Sequence, residues 1–264
     1  MVRRALGNDR DGADTLLVTP DAKQTEQMAA EIENLRDLIV SPRFVLFDFD
    51  GPMCRLFATH SPELIAAGMV RGVAERGLRG LLTEEVLKTA DPQIVMRAVA
   101  ARHPGSDLIT EIEEQLTQEE LKATATAFPT PYADLVVQTW VNVDARLAIT
   151  TNNSARAVAK YLESRNLTHC FAPHIYGRTQ NLDLLKPDPY CIKRALSAMG
   201  AAPSAALMIG DAPTDYEAAV RAGVTFLGYA RNERKKGLLR EAGVKGEHIV
   251  SSLKPVLEIL RTRG

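Results

Sequence analysis

The chain has 264 residues, 45% hydrophobic and 25% charged, with a formal net charge of −1. That length supports a sizeable core in one large or two modest domains, and the near-neutral balance argues against nucleic acid or an anionic membrane as partner. Three separated cysteines, Cys54, Cys170 and Cys191, with no CxxC pair, argue against a disulfide framework or a structural zinc site.

No apolar stretch backs the two arginines near the start, and none is long enough to cross a bilayer, so a reducing cytoplasm is the expected setting. Residues 1–21 are rich in Asp, Gly, Arg and Thr without a sustained period and read as a loose or disordered tail. Residues 22–41 read as a helix, with Met28, Ile32, Leu35 and Ile39 on one face. That face either lies on the body of the protein or forms a homodimer contact. Pro42 ends it.

The apolar run Phe44 to Phe47 reads as a buried strand that stops in Asp48-Phe49-Asp50-Gly51. Two residues apart on a strand, both carboxylates share a face. Two unit charges ~4 Å apart repel by roughly 4 kcal/mol at an effective dielectric of about 20, a cost that a bound cation converts into affinity. On its own the pair also fits a turn in which Asp caps backbone amides.

Residues 53–130 have a helical texture in which no strand pattern competes. Ser61 with Pro62, and Asp91 with Pro92, look like helix starts. Thr117-Gln118-Glu119-Glu120 has capping-box spacing. The expectation is an inserted bundle of about four helices, opened by His60, which either faces a site or sits at the surface.

Beyond Pro131 strands and helices alternate. A helix over Tyr132 to Asn142, packed through Trp140, leads to a strand at Leu147 to Thr150 and then Thr151-Asn152-Asn153. A helix follows Ser154. The next short strand, at 174–176, contains His174, expected as a satisfied core residue. Arg178 is expected as a solvated loop arginine, or else as a contact to substrate. Lys186-Pro187-Asp188-Pro189 opens a further helix, and the strand Ala206 to Ile209 stops at Gly210-Asp211, with Asp215 one helical turn on. A strand at Thr225 to Leu227, a basic run from Arg231 to Arg240 read as a solvated helix face, and a short strand at 248–250 complete the chain. This rhythm predicts an α/β fold: a Rossmann-like parallel sheet core with helices on both faces, residues 42–52 and 131–264, plus an inserted α-helical cap at 53–130. Ligands of such sheets bind at the carboxyl ends of strands, where Asp48, Thr151 and Asp211 fall.

Each cluster alone fits ordinary turn or capping chemistry; their shared placement favours a phosphoryl site. One of the two aspartates would attack phosphorus and the other would shuttle the proton. Thr151, with the amides of Asn152 and Asn153, would hold phosphoryl oxygens. Lys186 would offset carboxylate and phosphate charge. Asp211 with Asp48 would ligate a hard divalent cation, Mg²⁺, with Asp215 in support.

In this order and spacing the chain resembles the haloacid dehalogenase-like superfamily, in its helical-cap phosphatase branch, over residues 43–250. The motifs are Asp48-Phe49-Asp50-Gly51 for DxDG, Thr151 (or Thr150 in a second register), Lys186 before Pro-Asp-Pro, and Gly210-Asp211 through Asp215 for GDxxxD. The resemblance implies Asp48 as nucleophile and Asp50 as acid/base. It implies Thr151 and Lys186 around the phosphoryl group, and Mg²⁺ on Asp48, Asp211 and the Asp50 backbone carbonyl. It implies a phosphoric monoester hydrolase of the phosphoglycolate-phosphatase-like kind, acting on a small phosphorylated metabolite. A sugar phosphomutase with the same site, or a silent phosphate-binding module, stays open. Two departures stand out: Pro52 follows the motif, and Arg55-Leu56 replaces the Asp-Ser often seen there. Arg55 either reaches an anionic substrate or pairs with an acid of the insert.

Overall fold

The computed structural model describes residues 32–262. Six strands form one parallel sheet in the order β5-β4-β1-β6-β7-β8. They are β1 (Phe44–Phe47), β4 (Arg146–Thr150), β5 (Ile175–Tyr176), β6 (Ala206–Gly210), β7 (Thr225–Tyr229) and β8 (Ile249–Val250). Alternation along the central strands assigns side chains to two layers. Val45, Phe47, Leu147, Ile149, Leu207 and Ile209 point into one buried cluster; Leu46, Ala148 and Met208 point into the other. Both faces are covered, as the parallel pairing requires. The first face packs on α6 (Ala133–Asn142), α7 (Ala155–Ser164), α8 (Thr168–Phe171) and α12 (Lys254–Arg261). There Phe47 meets Trp140 and Phe171 edge to face, at centroid distances of 5.7 and 6.0 Å. The second face packs on α9 (Tyr190–Met199), α10 (Pro213–Ala222) and α11 (Glu233–Glu241).

Residues 32–40 form a helix, α1. Ile39 is fully buried and Leu35 and Leu38 pack beside it on the first cluster, while Ile32 is exposed. Of the face read from the sequence, Met28 lies outside the described residues, as does the segment 1–21.

Between β1 and α6 come α2 (Pro62–Glu75), α3 (Glu84–Leu87), α4 (Pro92–Arg102) and α5 (Asp107–Ala123). Ser61 and Asp91 cap α2 and α4 as expected, accepting from Leu64 N–H and Gln93 N–H. Two expectations fail here. Thr117 and Glu120 lie inside α5, whose buried face of Ile109, Ile112 and Leu116 continues through these two residues to Ala123. A two-residue antiparallel ribbon, β2 (Cys54–Arg55) against β3 (Phe128–Pro129), closes the base of the insert where no strand was expected. Two residues per strand are too few to show a period.

Leu182 and Leu185, from the loop before α9, are buried in the cluster of the inserted helices rather than in either face of the sheet. His174 also departs from expectation. It precedes edge strand β5, is half-buried, and stacks on Tyr176 with its Nδ1 3.2 Å from the tyrosine hydroxyl. An edge strand this short leaves one side open to solvent. No described helix is long and apolar enough to cross a membrane.

Candidate active site

Strands β4, β1 and β6 are neighbours, and the chain leaves β1 to either side, so their carboxyl ends converge on one crevice. There a cavity of about 310 Å³ is lined by Asp48, Asp50, Thr151, Asn152, Asn153, Lys186, Asp211 and Asp215 from the sheet side. Phe57, Pro62 and residues Ala90 to Gln93 close it from the insert.

Lys186 is the hub. It is 2% exposed, and its Nζ donates to Asp48 Oδ1 at 2.7 Å and to the Thr150 carbonyl at 3.0 Å, and lies 2.6 Å from Asp215 Oδ1. Asp215 Oδ2 accepts from the backbone N–H of Asp211 and of Ala212, at 3.0 and 3.1 Å, so both its oxygens are engaged. It fixes the loop that carries Asp211. Asn152 grips the Lys186 peptide: its Oδ1 accepts from Lys186 N–H at 2.8 Å and its Nδ2 donates to Lys186 O at 3.2 Å. Thr151 faces the cavity, whereas the Thr150 hydroxyl turns away to Met208 Sδ, 3.3 Å off.

Asp50 accepts from Leu56 N–H at 2.9 Å. Pro52 leaves this loop short of one donor, and the turn closes around it through Gly51 N–H to Cys54 O at 2.7 Å and Cys54 N–H to Phe49 O at 3.2 Å. Gly51 has φ +133°, and a Cβ there would stand 2.4 Å from Asp211 Cγ. Only glycine lets these two loops touch.

Electrostatics separate the acids from ordinary surface carboxylates. Burial pushes Asp48 above its usual range; Lys186 opposes the shift, and Asp215 and Asp211 add to it. Burial raises Asp50 to about 6 against the Leu56 N–H, and raises Asp211 to about 6 against the Lys235 ammonium. Lys186 loses to burial but gains more from Asp215 and Asp48, which hold it above the ordinary lysine value. Among the described residues, Asp48, Asp211 and Asp215 pair with two ammonium groups, Lys186 and Lys235, fewer than the four acids gathered here with Asp50. Asp48, Asp211 and Asp215 each bring an oxygen within 4.8 Å of the others. Hard oxygen donors with uncompensated charge fit a divalent cation. With Asp215 engaged on both oxygens, Asp48 and Asp211 are the carboxylates left to hold one.

Lys235, Arg231 and Arg178 stand elsewhere than expected, Arg55 lies on an aromatic ring, and His60 takes the place away from the cavity that was one of its two expected positions. Lys235, read as part of a solvated helix face, reaches into the cavity and pairs with Asp211 Oδ2 at 2.8 Å; Arg231 lines the same cavity. The available signal was position, since both follow β7 at the edge where the other strands end. Arg178 is no solvated loop residue: its side chain is fully buried against Glu120 and Glu113, because α5 covers it. Arg55 is exposed and its guanidinium sits 5.8 Å over the Phe128 ring, beside a recess it shares with Asp50 and Arg231. His60 pairs with Glu119 of α5 at 2.7 Å and does not line the cavity.

Comparisons with known proteins agree with this architecture. The haloacid dehalogenase-like hydrolase family matches residues 45–229, more than half of the chain. A phosphoglycolate phosphatase of Pseudomonas savastanoi is 29% identical over 195 residues, 69% of this chain and 67% of that protein. One of Rhodospirillum rubrum is 27% identical over 208 residues, covering 72% and 82%. Among solved structures, a predicted phosphoglycolate phosphatase of Haemophilus somnus shares the fold with a TM-score of 0.59 at 17% identity, over 85% of this chain and 99% of that one. Strand order, crevice and family match together place the chain among the haloacid dehalogenase-like hydrolases.

Proposed function

We propose that the chain is a Mg²⁺-dependent phosphatase that hydrolyses a small phosphate monoester through an aspartyl-phosphate on Asp48. The observation that carries this reading is the Lys186 ammonium held between Asp48 and Asp215 where β1, β4 and β6 end. Uncatalysed hydrolysis of phosphate monoesters is among the slowest of reactions, with accelerations up to ~10²¹, so a covalent route supported by fixed charges suits it.

Asp48 attacks phosphorus as the bond to the ester oxygen breaks, and Asp50 gives its proton to the departing alkoxide. Asp50 then takes a proton from water. That water attacks the acyl phosphate, freeing inorganic phosphate and restoring Asp48. The raised position of Asp50, about 6, suits a group that alternates between acid and base near neutrality. Thr151 and Lys186 hold phosphoryl oxygens, and Asn152 holds Lys186 in place. Asp48, Asp211 and the Asp50 carbonyl would hold the metal, which neutralises acid and substrate charge when bound. Residues 42–52 and 131–264 act as the core and 53–130 as a cap that keeps bulk water out.

A cavity of about 310 Å³ suits a metabolite rather than a macromolecule. Arg231 and Lys235 at its wall suit an ester that also carries a carboxylate. Together with the names of the relatives, this makes 2-phosphoglycolate the first candidate, with the cytoplasm as the setting. The test is Mg²⁺-dependent phosphate release across a panel of small phosphate esters, aryl phosphate included. Asp48→Asn is expected to lower the rate about a thousandfold or more with the fold retained, judged by circular dichroism. Wild-type rates in that variant would exclude Asp48 as nucleophile.

A further inference from the structure

Arg178, Glu120 and the loop after β4 form a buried polar network that the proposed chemistry leaves unused. The Arg178 side chain is 0% exposed and Glu120 1%. Arg178 Nη1 donates to Glu120 Oε1 at 2.8 Å and Nη2 to Oε2 at 3.1 Å, a two-point fork. Its remaining donors go to Thr117 Oγ1 at 2.9 Å, Glu113 Oε1 at 3.1 Å and the Asn152 carbonyl at 3.1 Å. Glu120 in turn accepts from Asn153 Nδ2 at 3.0 Å and from Ser154 N–H at 2.8 Å. The pair thus grips three consecutive residues, 152 to 154.

Thr151 comes next. Its Oγ1 accepts from Asn153 N–H at 3.2 Å and lies 3.1 Å from Asn153 Oδ1, its acceptor here, so Asn153 fixes where the oxygen sits while the single hydrogen can rotate to a phosphoryl oxygen. Gly177 allows the approach: a Cβ there would lie 2.5 Å from Ala155 N and 2.6 Å from Asn153 O. Fold stability alone does not call for such a cluster, since apolar side chains of similar volume commonly serve a buried position as well or better. What apolar side chains cannot supply is an acceptor for Ser154 N–H and Asn153 Nδ2, or a donor for Asn152 O.

We propose that Arg178 and Glu120 are a positioning pair through which cap helix α5 sets the geometry of the phosphate-holding loop Thr151 to Ser154. This rests on the phosphatase reading and deepens it: the cap shapes the phosphoryl pocket itself as well as the space around the leaving group. Neither residue touches substrate. They act through Asn153 on Thr151 and through Asn152 on Lys186.

The test compares Glu120→Gln and Arg178→Lys with Arg156→Gln. Arg156 joins α7 to α5 through Glu114 at 2.7 Å, but its guanidinium is exposed, and its backbone N–H to Ser154 Oγ is kept in any side-chain variant. Three quantities are read: hydrogen exchange at the Ser154 amide, kcat/KM for an aryl phosphate, and the calorimetric Kd of inorganic phosphate with Mg²⁺. In folded Glu120→Gln and Arg178→Lys, Ser154 is expected to exchange about tenfold faster or more, with kcat/KM and phosphate affinity each down about tenfold or more, because small displacements of positioning groups cost this much. Arg156→Gln is expected to match wild type in all three. If a single variant fails to fold, Arg178→Met with Glu120→Met removes both charges together and is read in the same way. Wild-type kcat/KM and phosphate affinity in any folded Glu120 or Arg178 variant would overturn the proposal. Absence of ester hydrolysis by the wild-type chain would count against the phosphatase reading alone; unchanged Ser154 exchange in Glu120→Gln would then still overturn the pair.

Discussion

Lys235 and Gly51 both lie close against Asp211, and each limits what that carboxylate can do. The Lys235 ammonium competes with any cation for Asp211 Oδ2 and also repels it. Because Lys235 is 27% exposed, its hold is that of a partly screened pair, about 1 kcal/mol. Lys235→Met is therefore expected to bind Mg²⁺ about fivefold more tightly by calorimetry; unchanged or weaker binding would show that Lys235 and the metal do not share Asp211. Gly51→Ala tests the second contact. It forces a left-handed residue to carry a Cβ 2.4 Å from Asp211 Cγ. About 1–3 kcal/mol of lost stability is expected in urea melts, with Mg²⁺ affinity reduced in parallel. Wild-type stability and affinity would mean that the two loops can separate freely. That Asp48, Asp50, Thr151, Lys186 and Asp211 meet at one cavity was legible in the sequence, the aspartates and Thr151 because each ends or follows an apolar run and Lys186 because it opens Lys-Pro-Asp-Pro. Lys235 and Arg178 were not. A basic residue reads as solvated until one knows what packs above it, and α5 and the cavity are brought there by tertiary structure.

At the level of elements, two buried aliphatic side chains separate support of the fold from support of the site. Ile39 of α1 is fully buried on the first cluster, away from the cavity. Leu185 is 4% exposed among the cap helices and immediately precedes Lys186. Truncation of either to Ala is expected to cost about 2–5 kcal/mol in denaturant unfolding. Only Leu185→Ala is also expected to raise the phosphate Kd measured on the folded protein, since a cavity there loosens the peptide that Asn152 clamps. Equal phosphate affinity in both variants would show that the Lys186 loop holds its place without the cap. The helices and central strands were readable from period and capping residues, because those signals are local. The β2–β3 ribbon is too short to show a period. The Thr117–Glu120 spacing mimicked a helix start because capping chemistry and helix-interior chemistry use the same residue types, and what distinguishes them is the buried face of α5 running from Ile109 through Thr117 and Glu120 to Ala123.

For the whole molecule the question is whether cap and core unfold together. Two peptide crossings at the β2–β3 ribbon would by themselves permit a loosely tethered lid. Three further links work against that. Leu182 and Leu185, from the core side of the chain, complete the apolar cluster of α2, α4 and α5. Arg178 joins Glu113, Thr117 and Glu120 of α5 to the loop after β4. Arg97 of α4 donates to the Lys186 carbonyl at 3.1 Å. The first two links insert part of one unit into the buried interior of the other, so opening the cap would expose Leu182 and Leu185 and strand the Arg178–Glu120 charges. Interfaces between independent units are more polar and permit separate transitions; this one is built like an interior. Differential scanning calorimetry is accordingly expected to show one transition with equal calorimetric and van't Hoff enthalpies. Leu185→Ala is expected to shift that transition as a whole without splitting it. Two resolved transitions in the wild-type chain would show that the cap melts alone. The packing of Leu182 and Leu185 would then leave the cap an independent folding unit, and its hold on the Lys186 loop would depend on the temperature at which activity is read.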